Sequence, residues 1–255
     1  MSGSAPFRPE SFRPESFRPG PSRPAPSCSV SSRTERFREY YRENLPADYD
    51  GWRQQRRITA AMLGTALLLA LGVQDWTWTL LGVAAAVCTL SCAGEYLAHR
   101  FPMHRPVRGL EFMFRRHVRV HHRYFTNQQM AGGDARDVHA TVLAPVQLLV
   151  LLLVGALPLS MACWILVGPD AARICAVSIF CYLNVFEWVH LACHLPQDHP
   201  AVQLPFLQRA REHHRLHHNP RHMGTQNFQI SNPWTDLPLG TRIESEPPVE
   251  RDQAA

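Results

Sequence analysis

Arg211 to His218 reads REHHRLHH and places four imidazoles within six positions. Three earlier groups echo it: His99 and His104 in HRFPMH, His117 with His121 and His122 in HVRVHH, and His190 with His194 in HLACH. Neutral imidazole is the commonest protein ligand for Zn, Fe and Cu, so four such groups point to a metal enzyme. On a helix His190 and His194 share one face a turn apart. His117 and His121 repeat that spacing, as do His214 and His218, with His217 joining the last pair. His99 and His104 are five apart and would diverge on a straight helix; Pro102 between them is expected to end the helix and let His104 fold back.

Any single HxxxH arises readily by chance on a solvated helix. Coincidence has to satisfy topology as well as count, however, because two groups close apolar helices and two lie in the polar segments beside them. Ten imidazoles exceed the roughly four to six positions around one ion, so a binuclear centre is the economical reading. Glu95, Glu187 and Glu212 stand near the groups, and each could orient a ligand ring by accepting its other N–H. His139, His199, His213 and His222 fall outside the pattern and are expected at the surface or behind the ligands.

The elements that must position these rings are apolar. At 255 residues the chain can bury a full core. Its net charge of +5 comes mainly from arginine, crowded into the N-terminal stretch and around the histidines, while the apolar runs carry almost none. That segregation is expected of a membrane protein with basic cytoplasmic faces. Four transmembrane helices are predicted: Ile58–Val73, Thr79–Arg100, Val142–Gly168, in which Pro158 should kink or divide the helix, and Ile174–His194. The intervening loops Gln74–Trp78 and Pro169–Arg173 are short and poor in cations, although Arg173 weakens the second. An even number of crossings puts both termini and every histidine group on the cytoplasmic side.

Phe-Arg-Pro recurs at Phe7, Phe12 and Phe17 in a Pro- and Ser-rich stretch reaching Ser32, expected to be a disordered, solvated arm. No secretory signal precedes it. Thr34–Asn44 should form a short amphipathic helix capped by Thr34 and able to lie on the membrane surface. Residues 1–50 are thus an N-terminal tail, 51–245 the membrane domain and 246–255 a disordered C-terminal tail. Six of the seven cysteines lie in or beside apolar helices and read as buried thiols, not a disulfide framework.

The order HxxxxH, HxxxHH, HxxxH, HxxHH interleaved with paired apolar runs resembles the fatty acid hydroxylase and sterol desaturase superfamily. The resemblance runs from about Glu95 to Thr241, and the closing NFQISNPWTDLPLGT is similar to the stretch that follows the family's last box. It implies an all-α integral membrane bundle of four helices under a cytosolic helical cap. It also implies a centre of two Fe ions that activates O2, with Zn as an ion a purified protein could carry, and attack on an unactivated C–H bond of a fatty acyl chain or other lipid. Ligand roles pass to His99, His104, His117, His121, His122, His190, His194, His214, His217 and His218. One departure is local: three residues separate His117 from the His121–His122 pair where many members have two. No cytochrome b5 domain precedes the first helix, so electrons are expected from a separate carrier, a ferredoxin or cytochrome b5 steered to the basic cap.

Within the same chemistry, a desaturase, or a hydroxylase of sterols or carotenoids, is the closest rival to a lipid hydroxylase. A divalent-metal transporter or metal sensor would place ionisable ligands at the membrane midplane, whereas these groups fall at helix ends and beyond. A membrane cytochrome would need axial histidines paired across two spans. Nothing in the sequence points to nucleic acid.

Overall fold

A computed structural model describes residues 30–245; the FRPES repeats and the last ten residues lie outside the described residues. Helix α1 (Val30–Glu43) is followed by α2 (Gly51–Leu71) and α3 (Trp78–Ala98), whose end continues as a π-helical turn, His99–Met103. Next come α4 (Glu111–Arg116), a second π turn (His117–His121) and the single turn α5 (His122–Tyr124). Helix α6 (Val138–Thr141) leads into α7 (Pro145–Leu151) and α8 (Leu157–Leu166), separated by a third π turn at Leu152–Ala156. Helix α9 (Pro169–Cys193) and α10 (Pro205–His217) complete the fold.

Among the described residues three helices are long and apolar enough to cross a membrane: Trp78–Met103, Ala135–Leu166 and Pro169–Cys193. Helix α2, where a first crossing is expected, is continuous but is not one of these three, because Arg53, Arg56 and Arg57 occupy its opening turns. Helix α9 is the axis of the bundle and packs against α2, α3, α8 and α10. The Trp188 indole N–H donates to Thr59 Oγ1 at 2.9 Å, pinning α9 to α2. Leu149 on α7, Leu153 in the π turn and Ile165 and Leu166 on α8 are exposed, as a surface bathed in hydrocarbon would be.

At the end of the bundle remote from the histidines, Asp170 accepts from the backbone N–H groups of Gln74 and Asp75, both at 3.1 Å, and pairs with Arg173 at 2.5 Å. Pro169–Arg173, expected as a loop, is instead the opening of α9, and its lone cation is neutralised within that turn.

Pro158 divides its helix as expected, and the π turn just before it takes up the distortion. Pro102 acts differently. It does not end α3 but lies inside the π turn, where the His104 N–H reaches back five residues to the His99 carbonyl at 3.1 Å. The widened turn brings rings five apart onto one face.

Helix α1 starts at Val30, so Thr34 lies within it and does not cap it. Its aromatic face does not lie on a membrane surface: Phe37 and Tyr41 are buried with Val120, Tyr124, Phe125 and Ala140. Arg38 donates to the carbonyls of Tyr124 and Gln129, both at 2.8 Å, and Arg42 pairs with buried Asp137 at 2.6 Å. These bonds clamp α1 onto the segment that carries the second histidine group. All the described cysteines are free thiols, although Cys88 and Cys181 are exposed on the bundle surface and not buried.

Candidate metal centre

All ten imidazoles converge where α3 and α9 end, against α10 and the segment that carries the second histidine group. His99, His104, His117, His122 and His217 form one buried cage, its ligand atoms all within 4.8 Å of one another. His121, His194, His214 and His218 form a second to the same limit, and His190 stands at its edge with Nε2 at 3.2 Å from His121 Nε2. The cages adjoin: the His122 and His218 rings stack at 4.2 Å between centroids.

The sequence groups are not the spatial groups. The first serves one cage and the third the other, but the second and fourth are divided between them. In the second group the π turn is the dividing device. The His122 N–H bonds to the His117 carbonyl five residues back, so the extra residue widens the turn and leaves His117 and His122 in register. His121 is thereby turned towards the other cage.

Five rings have their tautomer fixed from behind. His121 Nδ1 bonds to the carbonyl of Ala140 at 2.9 Å, His194 to Met130 at 3.0 Å, His217 to Gln226 at 2.8 Å and His218 to Phe125 at 2.7 Å; His99 bonds likewise to Phe228. A carbonyl only accepts, so each of these Nδ1 atoms carries the hydrogen and each Nε2 presents a lone pair inward. Those Nε2 atoms crowd one another. His104 Nε2 lies 2.9 Å from that of His217, 3.0 Å from that of His117 and 3.2 Å from that of His99. One N–H at His104 cannot point to all three, so several lone pairs oppose each other in a dry interior, an arrangement that a cation resolves. The donor set therefore fits metal ions bound by neutral imidazole.

Burial, reinforced by the neighbouring rings, holds the imidazoles of His117, His121, His122, His194, His214 and His217 well below the usual range. His104 is pushed down to about 2 and His218 to about 3, also chiefly by burial. The rings are neutral at pH 7, the state that ligates.

None of the three glutamates accepts from a ligand ring. Glu95 accepts from Tyr182 at 2.6 Å and from the Ser231 backbone N–H at 3.0 Å, Glu187 accepts from the Leu143 N–H at 3.3 Å, and Glu212 pairs with Arg215 at 2.7 Å. Backbone carbonyls do the work expected of carboxylates. Of the other histidines, His213 bonds Asp236 at 3.2 Å, His139 meets Tyr41 at 2.7 Å, and His199 caps the short turn at Pro200. His222 lies in the turn after α10, outside both cages.

An apolar cavity of about 310 Å³ leads to the first cage. Leu90, Val154, Leu159 and Ile179 are among its walls, together with Pro102, Met113 and the cage ring His99.

No curated protein and no solved structure matches this chain. Residues 83–241, more than half of the chain and including every ring of both cages, match the family model described as fatty acid hydroxylase, and the protein belongs to that family.

Proposed function

We propose that this protein is a membrane di-iron hydroxylase that inserts oxygen into an unactivated C–H bond of a lipid hydrocarbon chain, using O2 and electrons from a separate carrier. The observation that carries this reading is the apolar cavity between membrane-length helices, ending on one of two adjoining histidine cages. When bound, iron supplies the activation of O2 that such a bond requires; one oxygen atom enters the chain and the other leaves as water, with two electrons and two protons consumed. The remaining work is done by the protein. The cavity walls accept hydrocarbon and exclude water, and the carbonyl-anchored rings hold their Nε2 atoms in place without relying on solvent.

In this reading α2 is a fourth membrane helix. Its exposed Leu67, Leu68 and Leu71 and the following Trp76 support that, as does its alignment with α9. The histidine cap then faces the cytoplasm, where Arg53, Arg56 and Arg57 stand at the base of α2. Exposed Arg105, Arg108, Arg115, Arg119 and Arg123 make the cap a surface to which an acidic ferredoxin or cytochrome b5 would be steered. A transporter is disfavoured because the rings cluster at helix ends.

Expression in a heterologous host, followed by mass spectrometry of total lipids, tests the reading. The expected product is a lipid heavier by one oxygen that is missing with His217→Ala. Loss of two hydrogens without oxygen gain would assign the protein to desaturation, and unchanged lipids with a proven electron donor present would overturn the proposal.

A further inference from the structure

The five rings anchored through Nδ1 do not meet equivalent carbonyls. The peptide linking Phe228 to Gln229 offers its C=O to His99 and its N–H to Asp236 Oδ2 at 2.8 Å. Behind His217 the corresponding N–H, that of Asn227, goes to the Thr241 carbonyl at 2.8 Å, and behind His218 that of Thr126 goes to the Gln129 carbonyl at 3.3 Å. Among the described residues His99 is the ligand candidate whose carbonyl partner has a carboxylate behind it.

Asp236 is fully buried. Its Oδ1 accepts from the Phe228 N–H at 3.0 Å and Thr241 Oγ1 at 2.7 Å, and its Oδ2 from the Gln229 N–H and from His213 Nε2 at 3.2 Å. Two donors on each oxygen suit the ionised form.

We propose that Asp236 is a positioning residue of the five-histidine cage, acting through the Phe228–Gln229 peptide to fix His99 as the Nδ1–H tautomer and strengthen its Nε2 as a ligand. A negative charge on the amide N–H side draws electron density towards the carbonyl oxygen, making it a better acceptor. The stronger acceptor pulls on Nδ1–H and leaves Nε2 more basic, which is the service a carboxylate performs when it touches a ligand histidine directly. Here one peptide is interposed.

The relay makes the cages unequal. His99 and His217 both lean on residues 226–229, which Asp236 organises, whereas His121, His194 and His218 lean on Ala140, Met130 and Phe125. Loss of the carboxylate therefore weakens one ion and spares the other.

This inference rests on the metal-centre reading, and one experiment separates the two. Full-length protein in detergent is titrated anaerobically with Fe(II), with affinities measured by chelator competition and helicity checked by circular dichroism. Wild type should bind two ions; none bound would overturn the metal-centre reading itself. Asp236→Asn should keep one ion at wild-type affinity and bind the other about 10- to 100-fold more weakly. Thr241→Val removes a bond to Oδ1, leaves the Oδ2 relay intact and should keep both ions. Two ions at wild-type affinity in Asp236→Asn, or equal weakening in the two variants, would overturn the relay. Should Asp236→Asn not fold, wild type loaded with Zn(II) decides by NMR. The Nδ1–H proton of His99 should lie furthest downfield of the five carbonyl-bonded ring protons, and five matching shifts would refute the relay.

Discussion

The backbone N–H of His122 bonds to the carbonyl of His117 across a π turn, so two rings five positions apart face the same cage while His121 faces its neighbour. The five-residue separation is thereby accommodated without turning either ring out of the cage. Deleting Arg119, which is exposed inside that turn, should convert it to an ordinary α turn and leave His117 and His122 on a shared face. The expected outcome is retention of both ions, measured as iron per chain after anaerobic loading. Loss of iron would show that the wide turn is required and not simply tolerated.

Removing rings should separate the cages. His217→Ala is expected to empty the five-histidine cage and His218→Ala the other, each lowering lipid turnover by more than about 100-fold, beyond what loss of a group behind a ligand costs. His199→Ala, at an exposed turn, should behave like wild type. Metal counting and product analysis on the same preparations check the assignment.

Acid should destabilise the metal-free protein with a sign set by burial. His104 and His218 have folded values near 2 and 3 against an ordinary 6.5, so between those limits the unfolded chain binds more protons than the folded one. What these two rings contribute to stability is therefore fully present above pH 6.5 and is lost as pH drops towards 3. Thermal unfolding in detergent across pH 8 to about 4 should show a midpoint falling steadily below about 6.5, and a flat profile would contradict neutral buried rings.

The cavity makes a steric prediction. A Cβ added at Gly94 or Gly155 meets nothing within 4 Å, yet both residues line the cavity, so Gly94→Leu and Gly155→Leu should fill it without disturbing its walls. Iron content should remain at wild-type level while turnover of a long-chain lipid falls at least about tenfold, as blocked positioning requires. Equal loss of iron and turnover would mean that the change had reached the cage.

Glu95 is expected to act as a latch. It accepts from Tyr182, Ser231 and the Ile230 N–H, joining α3 and α9 to the closing segment that anchors His99 and His217. Glu95→Gln should cost about 1–3 kcal/mol, because its buried –NH2 would face donors where an oxygen now accepts, and Tyr182→Phe about 1 kcal/mol. Unfolding midpoints in detergent should rank wild type above Tyr182→Phe above Glu95→Gln.

The ten rings were legible because imidazole is rare enough for density to carry meaning and because helical spacing exposes shared faces. How they divide was not. A π turn leaves the residue types unchanged, so His121 and His122 read as one box although they serve different cages. The partners behind the rings were invisible for a related reason: carbonyls occur at every residue, and only the path of the backbone shows which of them face His121 or His194. Asp236 did leave a signal, as the one charged residue in NFQISNPWTDLPLGT. Helix α1 was legible as amphipathic, but an aromatic face reads alike whether it meets lipid or Tyr124.

Because His99 and His217 are braced by residues 226–229, the five-ring cage closes only after nearly the whole matched region has been synthesised. A nascent chain already threaded into the bilayer would hold most of the rings yet lack the braces that aim two of them. Assembly of the five-ring cage is in this way tied to the arrival of its last-made braces, and a shorter product would present His99 and His217 unaimed.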